Sequence, residues 1–391
     1  MPVPPTVPPV AGLADIASPS NFITDYIEID PLTPCLDLQG EGKLRFLCNP
    51  SHISYDDPIL YPGQQGAAHL HHFFGNTAAD RNSTYASLRS TGDSTCAGRG
   101  LNRTGYWFPA MIKPAGPGFP VAKVVVPEFI ELYYAIAEAG DLDDYASPVG
   151  HTTYGMVPFP NGLQMIWGWK HTHPILPPSS FIDGGVTGNG AWVSDHPSYV
   201  GGYKNTIAEV LSSSPGILTP PWGRIGARFA SPDCWDGANL SSVDGRSHLA
   251  YGYQDGSGRL ICPATHKYRI PVVLLIVMWP AVDPQDWKNW FISVDRHTGH
   301  NLAGGHGMHT DWLGAWDSGI KTIWEQEHLA IGKTAAAGAA AGGMKTANAG
   351  ALCRDNWRLT DDHLFYGAAN NYLDIPAKAG EKRLRLNLTA A

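Results

Sequence analysis

Charged residues are scarce in this chain: Asp, Glu, Lys and Arg make up 16% of its 391 residues. A helical bundle covers its surface with Lys and Glu, so this share argues against one. The 27 Lys and Arg are outnumbered by 35 Asp and Glu, giving a net charge of −8. They form no basic stripe, which excludes an ordinary nucleic-acid footprint; the acidity reads as a solubility feature. No apolar run reaches membrane-spanning length, and the longest, Val272 to Trp279, has the length of a buried strand. The six cysteines contain no CxxC, which argues against a thiolate zinc site. Internal repeats are also lacking.

Glycine (44), proline (32) and tryptophan (13) are plentiful instead. That mixture suits a loop-rich β protein. Leu44, Phe46 and Cys48 alternate with Arg45 and Leu47 in a strand within Gln39 to Asn49. Ala122 to Ala137 reads as two strands broken near Pro127, and Leu163 to Trp169 as another. The β-branched run Arg269 to Trp279 reads as a central strand buried on both faces. Helical signals are few: Asn205 to Leu211, and Asp317 to Leu329 with Ile320, Ile323, Trp324 and His328 at helical spacing. The expected fold is mainly β, a sandwich or jelly-roll-like architecture with long loops and few short helices. The expected organisation is a Pro-rich arm (1–20), one large β-rich domain (21–332), an Ala/Gly-rich linker (333–350) and a C-terminal tail (351–391) docked through its aromatics.

Two histidine-centred signatures carry the functional argument. The first is His69-Leu70-His71-His72-Phe73-Phe74-Gly75-Asn76. In an extended segment His69 and His71 point the same way, roughly 6–7 Å apart, within reach of one ion or one polar ligand. The second runs from Cys234-Trp235-Asp236-Gly237 through Arg246-Ser247-His248 to Cys262-Pro263-Ala264-Thr265-His266. A further loop, Gly304-Gly305-His306-Gly307-Met308-His309-Thr310-Asp311, again sets a His and an acid two apart, with glycines that admit a close ligand. Candidate catalytic residues are therefore His69, His71, Asp236, Arg246, His248, His309 and Asp311. Asn76, Tyr106, Trp107 and Asn239 are candidates for substrate contact, and His69, His71 and His309 alternatively for metal ligation. Asp236 and Asn239 are equally natural turn formers, and Asn239 opens an Asn-Leu-Ser sequon. His171 and His173, a second HxH before a proline-rich loop, read as structural or surface residues. His151, His196, His266, His297 and His300 carry no assignment.

These motifs, together with Ser94-Thr95-Cys96, Gly105-Tyr106-Trp107-Phe108-Pro109 and Gly307-Met308-His309-Thr310-Asp311-Trp312, resemble the DUF1996 family of secreted fungal and bacterial proteins over roughly residues 45–320. In fungi that family is sometimes joined to cell-wall-binding modules. The resemblance implies an extracellular protein with a shared polar site, and brings no established reaction with it. It also implies that Cys234 and Cys262 are paired. Local loops suggest Cys35 with Cys48 and Cys234 with Cys262, leaving Cys96 with Cys353, although six cysteines allow fifteen pairings. Each local bridge would contribute about 3 kcal/mol in the chain-entropy model, and bridges fit an oxidising compartment. Met1-Pro2-Val3-Pro4-Pro5 lacks the basic and apolar regions of a signal peptide. The resemblance favours a mature secreted form.

The leading expectation is an enzyme that hydrolyses or eliminates a polysaccharide or other wall polymer. Trp and Tyr would stack on sugar faces, while His and Asp would act as acid and base. In an elimination Arg246 would neutralise a uronate carboxylate; in a hydrolysis Asp236 and Asp311 would be the two carboxylates required. Glutamate is missing from the motifs, which counts against an ordinary glycosidase. The alternative is a non-catalytic metal- or glycan-binding surface protein holding a divalent ion (zinc, copper or calcium). Its arm and tail would be able to tie subunits together in a homo-oligomer.

Overall fold

The computed structural model describes residues 12–16, 25–29, 35–37, 43–116, 120–135, 157–169, 190–254, 260–297, 300–325, 333–335, 357–360, 371–378 and 384–385. Two sheets form its body. One has six strands in the order Gln164–Gly168, His309–Leu313, Gly105–Pro109, His71–Gly75, Pro50–Ser54 and Leu384–Arg385, every pairing antiparallel. The other has seven, in the order Ala191–Ser194, Ile225–Ala230, Val272–Trp279, Phe129–Ala135, Lys43–Cys48, Lys333–Ala335 and Cys35–Asp37. The sheets face each other across one large apolar core, as a β-sandwich does.

Alternation decides which side chains enter that core. Leu44, Phe46 and Cys48 point inward from one sheet, and Phe74, Tyr106, Phe108 and Trp312 from the other. The Phe108 ring lies 5.4 Å from Trp279, and the Tyr106 and Tyr134 hydroxyls meet at 2.7 Å. Val272–Trp279 runs between two partners and is buried almost throughout, as its continuous β-branched run predicts. Strands Lys123–Val125 and Phe129–Ala135 flank Pro127, and the short helices Ile207–Ser213 and Ser318–Thr322 fall where helical spacing placed them.

The Cys234–Cys262 disulfide is present. The expected pairing of Cys48 with Cys35, and of Cys96 with Cys353, gives way to a Cys48–Cys96 disulfide. Cys48 ends its strand directly across an antiparallel bridge from Cys96, with Cα atoms 3.9 Å apart, so the fold brings together two residues far apart in sequence. Cys353 lies outside the described residues.

Segments near the two ends add strands to this body. Trp357–Leu359 pairs with Ile27–Ile29, Tyr372–Asp374 with Lys123–Val125, and Leu384–Arg385 with Pro50–Ser54. Phe365, Tyr366 and most of the Ala/Gly stretch lie outside the described residues. No described helix is long and apolar enough to cross a membrane.

Candidate metal centre

The six-stranded sheet turns its other face away from the large core. His71, Phe73, Trp107, Asp311, Leu313 and Ile166 occupy that face, and the 55–70 segment and the helix Tyr85–Ser90 cover much of it. Because neighbours alternate, His72 and Phe74 point the opposite way, into the sandwich. His72 has no partner at either ring nitrogen, and burial pushes it down to about 3; it is a neutral packing group.

His71 opens its strand, and His69, two residues earlier, falls on the same side. His309 opens a strand two positions across the sheet. Asp311 pairs with Trp107 and His71 with Pro109, so the same register, carried two residues on, sets His309 level with the small ring of Pro109. The three imidazoles lean together over that row. Ring centroids lie 4.1 Å apart for His69 and His71, 5.1 Å for His69 and His309, and 6.3 Å for His71 and His309. One ligand nitrogen from each lies within 4.8 Å of the others.

Hydrogen bonds set the tautomers. His71 Nδ1 donates to the Asp56 carbonyl at 3.0 Å, and His309 Nδ1 to the Gly307 carbonyl at 2.9 Å. A carbonyl only accepts, so in both rings the proton sits on Nδ1 and Nε2 keeps a lone pair. His69 Nε2 and His71 Nε2 are buried and have no hydrogen-bond partner. Burial, and then the neighbouring imidazoles, holds His69 and His71 well below the ordinary histidine range. Burial also pushes His309 down to about 3, against its bond to Gly307. Three neutral imidazoles, two of them with the other nitrogen tied back to a backbone carbonyl, are what a metal requires of its ligands.

Such a donor set fits zinc or copper; calcium, one of the expected ions, takes oxygen ligands. Around a tetrahedral ion with nitrogen bonds of about 2.05 Å, ligand atoms sit about 3.4 Å apart, so the three rings need only draw together slightly. Among the described residues no other His, Cys, Asp or Glu joins the three.

Asp311 lies on the same face, its Oδ2 buried, unpartnered and 4.0 Å from His309 Nε2. Burial, with the charge of Asp57 nearby, raises its carboxyl well above the usual range, and Arg246 only partly offsets this. Arg246 lies half-buried on the same side, and its two Nη atoms donate to the Gly168 and Trp169 carbonyls, at 3.2 and 3.0 Å.

The remaining candidates lie elsewhere. His248 bonds Ser242 Oγ at 2.9 Å and the Gln164 carbonyl at 2.8 Å. Gln164 pairs with Leu313, at the opposite strand end from the Gly168–His309 pair, so His248 stays apart from the cluster. Asp236 caps its own turn, accepting from the amides of Ala238 and Asn239 and from Asn239 Nδ2. Asn76 is fully buried, donating to the Leu88 and Thr91 carbonyls and accepting from Ala78. Tyr106 is sealed in the sandwich core, and Trp107 is buried against Phe73. His171 and His173 fall outside the described residues.

Three groups near the site carried no expectation. The Asp56 carbonyl holds His71, and Asp57 is pushed up to about 6 by burial. His297 places its half-buried ring 5.6 Å from His69, edge-on. The signals were an acid pair in Tyr55-Asp56-Asp57-Pro58 and the spacing His297-x-x-His300; both are too common to stand out unaided.

A family model described as "Domain of unknown function (DUF1996)" matches residues 57–316. The chain belongs to this family. The match takes in all three histidines of the centre, Asp311 and Arg246. Among curated proteins and solved structures nothing matches.

Proposed function

We propose that this DUF1996 member is an extracellular metal-dependent enzyme that acts on a polysaccharide or other cell-wall polymer by hydrolysis or elimination. One observation carries the reading: three neutral imidazoles, one half-buried and two buried, present ligand nitrogens within 4.8 Å of one another, and two of them have their tautomers fixed by backbone carbonyls. A structural zinc site closes around four protein ligands, whereas a catalytic one keeps a position open. The centre has three among the described residues. A bound ion would supply Lewis acidity toward an oxygen of the polymer.

The chain's own groups do the rest. Asp311 Oδ2, unpartnered beside His309, accepts the hydrogen bond of a water or sugar hydroxyl entering the site. Arg246 fixes the backbone at Gly168 and Trp169. Trp169, half-buried beside the Gly168–His309 pair and with the His300 and His306 rings steeply inclined to it, is the indole we assign to sugar contact. Two disulfides favour an oxidising, extracellular setting.

The test pairs metal analysis of the purified protein with a reducing-end and unsaturated-product screen over wall glycans, before and after chelation. About one zinc or copper per chain is expected, with product formation lost on chelation and restored by the ion. Failure to retain either ion overturns the metal reading. A stoichiometric ion with no product from any polymer would instead favour a non-catalytic metal-binding surface protein.

A further inference from the structure

The glycine-rich loop leading to His309 is built around one buried carboxylate. Asp295 is fully buried. Its Oδ2 accepts from the amides of Ile292 (3.0 Å) and Gly305 (2.7 Å), and its Oδ1 from that of Gly307 (2.8 Å). The Gly307 carbonyl, on the residue thus held, accepts the Nδ1 proton of His309. Trp192 Nε1 fixes the Gly305 carbonyl at 2.8 Å, and the Leu302 amide bonds the Asp295 carbonyl at 3.1 Å. The glycines are required here: a Cβ on Gly307 would meet Val294 Cγ1 at 2.7 Å and Asp295 Oδ1 at 3.1 Å, and one on Gly304 would meet the Trp290 carbonyl at 2.3 Å.

We propose that Asp295 is a positioning residue for the metal centre: it holds the Gly305–Gly307 turn so that the Gly307 carbonyl aims His309 Nε2 toward His69 and His71. This rests on the metal reading above. Three amide donors converge on two carboxylate oxygens, and an asparagine has only one oxygen to offer. Its NH2 group would confront either Gly307 or the Ile292–Gly305 pair. The chain Asp295–Gly307–His309 is thus an outer support of the kind whose loss costs metal affinity.

The experiment titrates metal-free wild type and Asp295→Asn with zinc against a chromogenic chelator, and records the visible spectrum of each with cobalt. Leu275→Ala, in the opposite sheet, serves as a control for general loss of stability. Asp295→Asn is expected to weaken zinc binding about 10–100-fold and to shift the cobalt spectrum. Leu275→Ala should leave both unchanged while melting at least as early. Gly307→Ala disturbs the same contact and replaces Asp295→Asn if that variant does not fold. Zinc affinity within twofold of wild type, with an unchanged cobalt spectrum, overturns the proposal, as does an equal loss in Leu275→Ala. If wild type itself binds neither ion, the metal reading is what has failed.

Discussion

At the scale of single residues, the distinction that matters is between a polar group already satisfied and one left waiting. His248 and His71 look alike in sequence, each a histidine inside a specific motif. In the fold both nitrogens of His248 are bonded, while His71 Nε2 is buried with nothing to bind. His71→Ala is therefore expected to lose at least 90% of the bound ion by metal analysis, since two imidazoles hold zinc poorly. His248→Ala should keep the ion and lose about 1–3 kcal/mol of stability in urea unfolding, because it removes the bond to the Gln164 carbonyl and one of the two bonds of the Ser242 hydroxyl. Glu325 supplies a separate test. It is buried, accepts from the Phe159 amide at 2.8 Å and lies 3.8 Å from Lys321, yet burial pushes its carboxyl from 4.5 up to about 7. A raised carboxyl pKa means that the folded state binds the proton more tightly than the unfolded chain does. Stability contributed by that proton is thus complete below pH 4.5 and is lost as pH climbs to about 7. Relative to Glu325→Gln, wild type should lose up to about 3 kcal/mol across that window. A pH-independent difference between the two would show that Glu325 ionises freely in the fold.

At the scale of elements, period-two patterns and β-branched runs were legible because each strand carries them locally. Lys43–Cys48 and Val272–Trp279 needed no tertiary information to be found. Pairing across the sandwich was not legible in the same way. Cys48 and Cys35 are near in sequence, but strand register sets Cys48 against Cys96. The same blindness affected the site. His69 and His71 could be read as a pair from their spacing; His309 could be grouped with them on its motif alone, and only the register through Pro109 shows how it arrives. Asn76 and Tyr106 stand in equally conspicuous motifs and serve to build the fold. A motif marks residues under constraint without separating those that act from those that pack. The Cys48–Cys96 bridge gives this level its own measurement. It closes a separation of 48 residues, worth about 4 kcal/mol in the chain-entropy model. Replacing both cysteines with alanine should lower the urea midpoint accordingly, without changing zinc content. If zinc content fell in proportion, the bridge would be shaping the centre as well as the chain.

At the scale of the whole molecule, the centre draws its parts from distant stretches of chain. His69 precedes and His71 opens a strand near the middle of one sheet, while His309 arrives some 240 residues later on another strand of that sheet. No unfolded chain holds these three nitrogens together, so an ion that binds them binds the folded state almost alone. Its binding energy then adds to folding stability. With free zinc at a hundred times its dissociation constant, the gain is about 2.7 kcal/mol. Spread over the unfolding entropy of a chain this long, that raises Tm by about 3 °C. Calorimetry in chelator and then in zinc should record the rise for wild type. His71→Ala and His309→Ala should each abolish it, while His248→Ala should retain it from a lower starting point. An equal rise in all four proteins would mean that zinc stabilises the fold from somewhere else, and the three-imidazole centre would lose its claim to the ion.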